Sequence, residues 1–200
     1  RLLALDARSG EPCAGFGTRG SVDAGPLFAA GVPAPADPWM VQFSAPPVVV
    51  NGVLVIGHIN TGKNQDAGSA SGALLAFDAR SGEFRWRFDP VPRNPGDPQA
   101  RNWTPESLAA TGGANAWSLL AADEARDLVF VPTSSAAPNW YGGTRPGDNR
   151  YANSVVALRA RTGQVAWHFQ AIHHDVWDWD LAAQPLLVTV PRGGRRVPAV

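Results

Sequence analysis

Cysteine is nearly absent from this sequence. Cys13 is the only one in 200 residues, so no internal disulfide can form, and the redox compartment stays undecided. An excess of one charge is absent as well. Seventeen basic residues against 17 acidic give a formal net charge of zero, which excludes the basic footprint of a nucleic-acid binder or a membrane-surface patch. The one basic cluster, Arg192 to Arg196, reads as a polar hairpin tip. No apolar run approaches the ~20 residues that a spanning helix needs. No leader-like stretch stands at the start, which is Arg1 rather than Met. What remains is 44% hydrophobic, 17% charged and rich in turn formers, with 21 Gly and 18 Pro. That is the composition of a globular, loop-rich chain.

A repeat organises it. Ala4-Leu5-Asp6-Ala7-Arg8-Ser9-Gly10-Glu11 returns as Ala76-Phe77-Asp78-Ala79-Arg80-Ser81-Gly82-Glu83 and again as Ala157-Leu158-Arg159-Ala160-Arg161-Thr162-Gly163-Gln164. Asp78 lies 72 residues after Asp6, and Arg159 lies 81 after Asp78. Such periods decide the fold before any local feature does. In each unit a short apolar strand ends at the Asp, whose carboxylate can accept from the turn amides that follow. The Gly supplies positive φ. The next strand then carries a Trp, Trp86 or Trp167, able to pack between neighbouring units. The third copy has Arg159 in place of the Asp, so its turn must be held differently. The first copy has Cys13-Ala14-Gly15-Phe16-Gly17 where the Trp would stand.

Two further strands precede each turn. Ala45 to Val50, the Asn51-Gly52 pair and Val53 to Gly57 form a strong hairpin signal. Ala116 to Ala121 leads through Asp123 to Asp127 into Leu128 to Val131, and Ala183 to Val190 with Arg196 to Val200 begins a third hairpin. Four antiparallel strands per radial unit describe a β-propeller blade, and propellers close with about four to eight. The expectation is an all-β partial propeller over residues 1–200: about two complete blades, with parts of the flanking blades, cut from a longer chain. A free-standing β-sandwich is the alternative. Three insertions, Ile59 to Ser71, Asp89 to Gly113 and Thr133 to Arg150, supply the long loops that carry function on rigid scaffolds.

The densest chemistry lies in His173-His174-Asp175-Val176-Trp177-Asp178-Trp179-Asp180. Three carboxylates, two imidazoles and two indoles in eight residues suit a site that holds a flat ligand and moves a proton. A packed loop with its carboxylates satisfied by backbone amides would also explain it. If the stretch is extended, His173 and His174 point to opposite sides. That argues against a shared metal site and leaves His174 to orient the loop by hydrogen bonds.

Three stretches carry a family resemblance: Arg1 to Asp6 with Cys13 to Gly17, Arg145 to Leu158, and the His-Asp-x-Trp-Asp element from His174 to Asp178. The chain resembles the pyrroloquinoline-quinone-dependent dehydrogenases, nearest in pattern to the glucose, quinate and shikimate branch. The resemblance implies a segment of an eight-bladed β-propeller with Trp docking motifs. It also implies oxidation of a sugar or polyol alcohol, with hydride passing to pyrroloquinoline quinone and the proton to an Asp base. By this resemblance Asp178 is the base. A carboxylate beside Trp177 and Trp179, partly desolvated, would have its basicity raised. Asp180, one period-two step on, is expected to matter little.

By the same resemblance Trp117 is the stacking floor under the quinone, although a core Trp would suit that position too. Asn115, Ser135, Trp177 and His174 complete the implied cofactor side. Family members hold Ca²⁺ against the quinone through oxygen ligands. Here Asp178, Ser135 and Asp66 are the candidates, with Lys63 at the position where relatives carry an acidic residue. Ser is a poorer hard-cation ligand than Asn or Asp. The implied partners are a small sugar or polyol and an electron acceptor, either membrane quinone or a soluble carrier, and the implied location is the periplasm or its membrane face. Two other readings use the same residues: a non-catalytic Trp-repeat scaffold that binds proteins, and a quinoprotein descendant that has lost the ion.

Overall fold

The computed structural model describes residues 1–29, 41–60, 69–93 and 96–200. Lys63 and Asp66 lie outside them. Strands β1 (Leu2–Leu3) and β2 (Ser21–Val22) pair antiparallel, followed by α1 (Gly25–Ala29) and β3 (Val41–Gln42). Next come β4 (Val48–Val50), β5 (Val53–Ile56), β6 (Ile59–Asn60), β7 (Leu74–Asp78) and β8 (Phe84–Phe88). Of these, β4-β5-β7-β8 form one antiparallel four-stranded meander, and β6 pairs with β3. The chain then forms α2 (Pro105–Ala110), β9 (Gly112–Gly113), β10 (Ala121–Asp123), β11 (Leu128–Pro132), β12 (Ala136–Ala137), β13 (Ser154–Arg159) and β14 (Val165–Gln170). Strands β10-β11-β13-β14 make the second meander, and β12 pairs with β9. A last hairpin joins β15 (Val188–Arg192) to β16 (Arg195–Ala199) through Gly193-Gly194. These are two four-stranded antiparallel sheets of propeller-blade type, with the two-stranded pairs β1-β2 before them and β15-β16 after them.

The inner strands bury both faces, which explains their unbroken apolar runs. Alternation sorts the side chains. Val53, Val55, Leu74 and Ala76 face Val129, Val131, Val156 and Leu158 of the second blade in one core. Leu54, Ile56, Leu75 and Phe77 point the other way, toward Ala24 and Phe28. In the second blade Leu128, Phe130 and Ala157 face away from the first. Period-two geometry thus makes each sheet a spacer between two cores.

The repeat turns behave as their chemistry requires. One oxygen of Asp78 accepts from the amides of Arg80 and Ser81, both at 2.9 Å, and Asp6 does the same with Arg8 and Ser9. Arg85, then the Ser81 and Arg80 amides, hold the Asp78 carboxyl well below its ordinary range. In the third copy the Arg159 carbonyl accepts from the amides of Thr162 and Gly163 at 3.2 and 2.8 Å, and the Thr162 hydroxyl accepts from the Gln164 amide at 3.4 Å, so the turn closes without the Asp. Asn51 and Gly52 both adopt positive φ, as a tight hairpin turn demands. The Asn51 side chain also crosses to the second blade, donating to the Glu124 carbonyl and to Asp127.

Trp86 ties blade to blade. It is buried, and its Nε1 donates to the Ala160 carbonyl at 2.8 Å, in the turn of the next blade. A Cβ on Gly163 would sit 2.7 Å from the indole, so only glycine lets the turn close over the ring. Phe16 takes this role in the first copy. It is buried, a Cβ on Gly82 would lie 3.2 Å from its ring, and the Gly17 amide donates to the Ser81 carbonyl.

Two expectations shift. Of the strand expected over Ala116 to Ala121, only the end is strand, as β10 starts at Ala121. The Trp117 and Leu120 carbonyls instead accept from the side chains of Ser44 and Gln184, and the Ser118 hydroxyl donates to the Ala182 carbonyl. In the last hairpin the first strand runs later than expected, over Val188–Arg192, and the second one residue earlier, over Arg195–Ala199. The insertion after β8 is folded rather than structureless: Val91, Ala100, Trp103 and Leu108 share a small core with Ala114, Ala136 and Ala152.

Removing the inter-blade Trp should therefore be costly. Trp86→Ala should destabilise the protein by about 3–5 kcal/mol. Trp86→Phe, which keeps most of the packing but loses the bond to Ala160, should cost about 1–2 kcal/mol. Urea unfolding midpoints at constant m-value would check both.

Candidate active site

Two long segments of the second blade meet at its inner end: the β11–β13 connection, and the loop after β14 that contains the acidic-aromatic octet. Between them lies a buried polar band that includes Thr133, Ser134, Ser135, Asn139, Arg145, Asn149, Asn153 and Asp175. Buried polar groups persist only when bonded, and the band is organised around two of them.

The first is Asp175, only 3% exposed. One oxygen accepts from the Ser135 hydroxyl at 2.5 Å, the Trp179 amide at 2.9 Å and Asn153 Nδ2 at 3.3 Å. The other accepts from the Trp177 amide at 3.1 Å. Burial pushes this carboxyl up, but the bonds from Ser135, Trp179, Trp177 and Asn153 outweigh it and hold it below its ordinary range. The octet is therefore wrapped around Asp175 rather than extended. His174 and Asp178 both take positive φ, at 49° and 61°.

The second is Arg145, fully buried. Its guanidinium donates to the carbonyls of Pro138, Asn139 and Asp175 and to Asn149 Oδ1. Burial lowers its pKa while the charge of Asp175 opposes that. Arginine stays charged regardless, so it clamps the octet loop to the Pro138–Gly143 segment.

The wrap sends the remaining carboxylates in two directions. Asp178 is exposed as a residue, but its carboxylate meets Asn139, whose Nδ2 donates to Oδ1 at 2.5 Å. Lost hydration there raises its pKa, and the charge of Asp180 raises it further. The Asn139 bond opposes them, and the Asp175 charge adds a smaller rise. The expected shielding by indoles is not the arrangement found, since Trp177 and Trp179 are 73% and 63% exposed. Asp180 turns the other way. It accepts from Trp117 Nε1 and from the Ser135 amide, each at 2.8 Å.

The other named residues have definite places. Trp117 is half-buried, its carbonyl accepting from Ser44 Oγ at 2.8 Å. The Gly-Gly pair before it serves close backbone packing: a Cβ on Gly112 would sit 2.0 Å from the Ser69 carbonyl oxygen. Asn115 is buried, its amide donates to Ser134 Oγ, and its Oδ1 has no hydrogen-bond partner. Asn139 Oδ1 is likewise buried without one. The Ser135 hydroxyl is engaged by both Asp175 and Asn153. His174 bonds through Nδ1 to the Gly147 carbonyl at 2.9 Å, and its amide donates to Asp148, so it orients the loop. Among the described residues no three His, Cys, Asp or Glu side chains gather as a metal site.

Asp180, Trp117 and Ser135 are thus joined by hydrogen bonds, Asp178 lies two residues back on the same loop with its carboxylate on Asn139, and His174 faces the Gly142–Asp148 loop. Asn139 and Arg145 were missed in the sequence. Arg145 lies in a stretch that carried the resemblance, but its partners are carbonyls, which sequence does not display.

Comparison with known proteins follows this geometry. The family model for the β-propeller domain of pyrroloquinoline-quinone glucose, ethanol and alcohol dehydrogenases matches residues 1–200. The chain belongs to this family. It is 36% identical over 203 residues to the glycerol dehydrogenase large subunit of Gluconobacter oxydans, covering 100% of this chain and 26% of that protein. It is 34% identical over 203 residues to the quinoprotein glucose dehydrogenase of Escherichia coli, covering 100% and 24%. Among solved structures, a quinohemoprotein alcohol dehydrogenase from Pseudomonas putida superposes with a TM-score of 0.74 at 28% identity, covering 98% of this chain and 28% of that one. The chain spans about a quarter of the length of these relatives.

Asp175→Asn puts an amide where four donors converge. It should cost about 1–3 kcal/mol and abolish hydrogen-exchange protection at the Trp177 and Trp179 amides. Ser135→Ala, which removes one donor, should leave that protection largely in place.

Proposed function

We propose that this chain forms the base-bearing wall of a pyrroloquinoline-quinone-dependent dehydrogenase that oxidises a CH–OH group of a sugar or polyol. The observation that carries this is Asp178, a carboxylate of raised basicity held against Asn139, on the same loop as Asp180, which bonds the half-buried indole of Trp117.

The quinone, when bound, supplies the hydride acceptor. The protein supplies the rest. Asp178 takes the hydroxyl proton, and its raised pKa brings it nearer the working range of a general base. The Asn139 amide pins one carboxylate oxygen and leaves the other for the substrate. Trp117 offers a flat face for the tricyclic ring. The exposed rings of Trp140, Tyr141, Trp177 and Trp179 suit the apolar faces of a polyol substrate.

A Ca²⁺ ion fits the donor chemistry in part. Asp178 and the unpartnered amide oxygens of Asn139 and Asn115 are hard oxygen ligands of the kind it takes. The ion would polarise the substrate oxygen as a Lewis acid. Ser135, with its hydroxyl committed to Asp175 and Asn153, is the weaker candidate. On the same reading the protein works in the periplasm or at its membrane face and delivers electrons to membrane quinone or a soluble carrier.

In the full-length protein, Asp178→Asn should keep the quinone bound and lower kcat by about 10²–10⁴-fold, the usual contribution of a general base. Trp117→Ala should weaken quinone binding by on the order of 1–4 kcal/mol. Reconstitution of the apo protein with quinone, with and without Ca²⁺, followed by steady-state rates on aldoses and polyols, reads both. Unchanged kcat in Asp178→Asn would remove the base assignment. Quinone-independent folding with no quinone affinity would favour a scaffold.

A further inference from the structure

We propose that Asp180 is a positioning residue for the Trp117 floor: its carboxylate fixes the rotation of the indole and couples it to the loop that carries Asp178. The inference rests on the reading of Trp117 as the face on which the quinone stacks.

A comparison of Trp86 and Trp117, whose indole N–H groups both donate, shows why such a residue is needed. Trp86 is buried, and packing on all sides sets its ring, with a backbone carbonyl accepting its N–H. Trp117 is only half-buried, so packing leaves its ring partly undetermined. A ligand face must stay open, which rules out holding the ring by covering it. A hydrogen bond at the ring edge constrains rotation while leaving both faces free. Asp180 Oδ2 supplies that bond at 2.8 Å, and a carboxylate acceptor makes it stronger than a neutral one.

Asp180 is itself immobilised. Its second oxygen accepts from the Ser135 amide at 2.8 Å. Asn153 Nδ2 donates to the carbonyl of Trp179, just before it, at 2.8 Å. On either side the two segments are laced together: Ser118 Oγ donates to the Ala182 carbonyl at 2.5 Å, and Gln184 Nε2 to the Leu120 carbonyl at 2.9 Å. These ties hold the backbones in register, whereas the Asp180 carboxylate acts on the ring. From the sequence Asp180 is expected to matter little; in the structure the turn at Asp178, whose φ is 61°, leaves the Asp180 carboxylate on Trp117.

The test uses the full-length apo protein with Ca²⁺ present, titrated with pyrroloquinoline quinone and followed by quinone absorbance. Asn offers one acceptor oxygen to two donors. Asp180→Asn should therefore raise the quinone Kd about tenfold or more while kcat of the quinone-saturated enzyme changes less than about threefold. In a Trp117→Phe background, which has no N–H to orient, the same substitution should change Kd by less than about twofold. Equal losses in both backgrounds would mean a general structural role and overturn the proposal. So would an Asp180→Asn protein that binds quinone like the wild type. If Asp180→Asn does not fold, Trp117→Phe alone still decides, since wild-type affinity there would show that the N–H bond orients nothing. Trp117→Ala separates the two readings: if it leaves Kd unchanged, the floor assignment itself fails, whereas a weakened Trp117→Ala beside a normal Asp180→Asn sinks only the positioning role.

Discussion

The arrangement depends on one buried carboxylate. Asp175 gathers a hydroxyl, a side-chain amide and two backbone amides, and so converts an acidic, aromatic stretch into a compact turn. Without it, the three carboxylates within six residues would repel one another. With it, the first is neutralised by donors and the other two point apart, one at Asn139 and one at Trp117. The same acidic run thus yields an anchor, the proposed proton acceptor and an indole clamp. Arg145 completes the device by gripping the Asp175 carbonyl from behind, placing a compensating positive charge beside a buried negative one without forming a direct ion pair.

The blade scaffold makes this possible by being stiff in one direction only. Each sheet is sandwiched between two apolar layers, and buried indole and phenyl rings lock neighbouring units at their outer turns. The long connections at the inner end are then free to diverge. They are polar inside because each buried side chain has found a partner, largely among backbone carbonyls and amides. The exceptions in and around these connections are Asn115 Oδ1, Asn139 Oδ1, Thr144 Oγ1 and Arg150 Nε, of which the first two are amide oxygens. Oxygen acceptors without donors are what a hard cation would use.

Much of the architecture was legible because it is local. Alternating apolar residues, the Asn51-Gly52 turn and the Asp-to-Gly repeat each act over fewer than ten residues, and the structure reproduces them. The strand expected at Ala116 was misread for the opposite reason. Its pattern is apolar, but its backbone is claimed by Ser44 and Gln184 and its side chains by Asp180 and Ala182, all far off in sequence. The site was legible in part. The loop-orienting bond of His174 followed from the chemistry of imidazole, whereas Asp178 was singled out by the family resemblance alone. The opposing roles of Asp175 and Asp180 were not visible, because three similar carboxylates differ only in what folds against them. Nor was Arg145 visible, since a residue bonded mainly to carbonyls has no partner type to search for.

The backbone at Asp178 has a consequence of its own. A φ of 61° is a conformation that β-branched side chains tolerate poorly and that glycine, asparagine and aspartate adopt most readily. Of these three only aspartate can accept a proton. The local geometry therefore restricts which residues can occupy the position before any chemistry is considered. On the proposed reading of Asp178 as the base, a lineage that loses the reaction would be expected to drift there first to asparagine or glycine, while one that keeps it has essentially one choice.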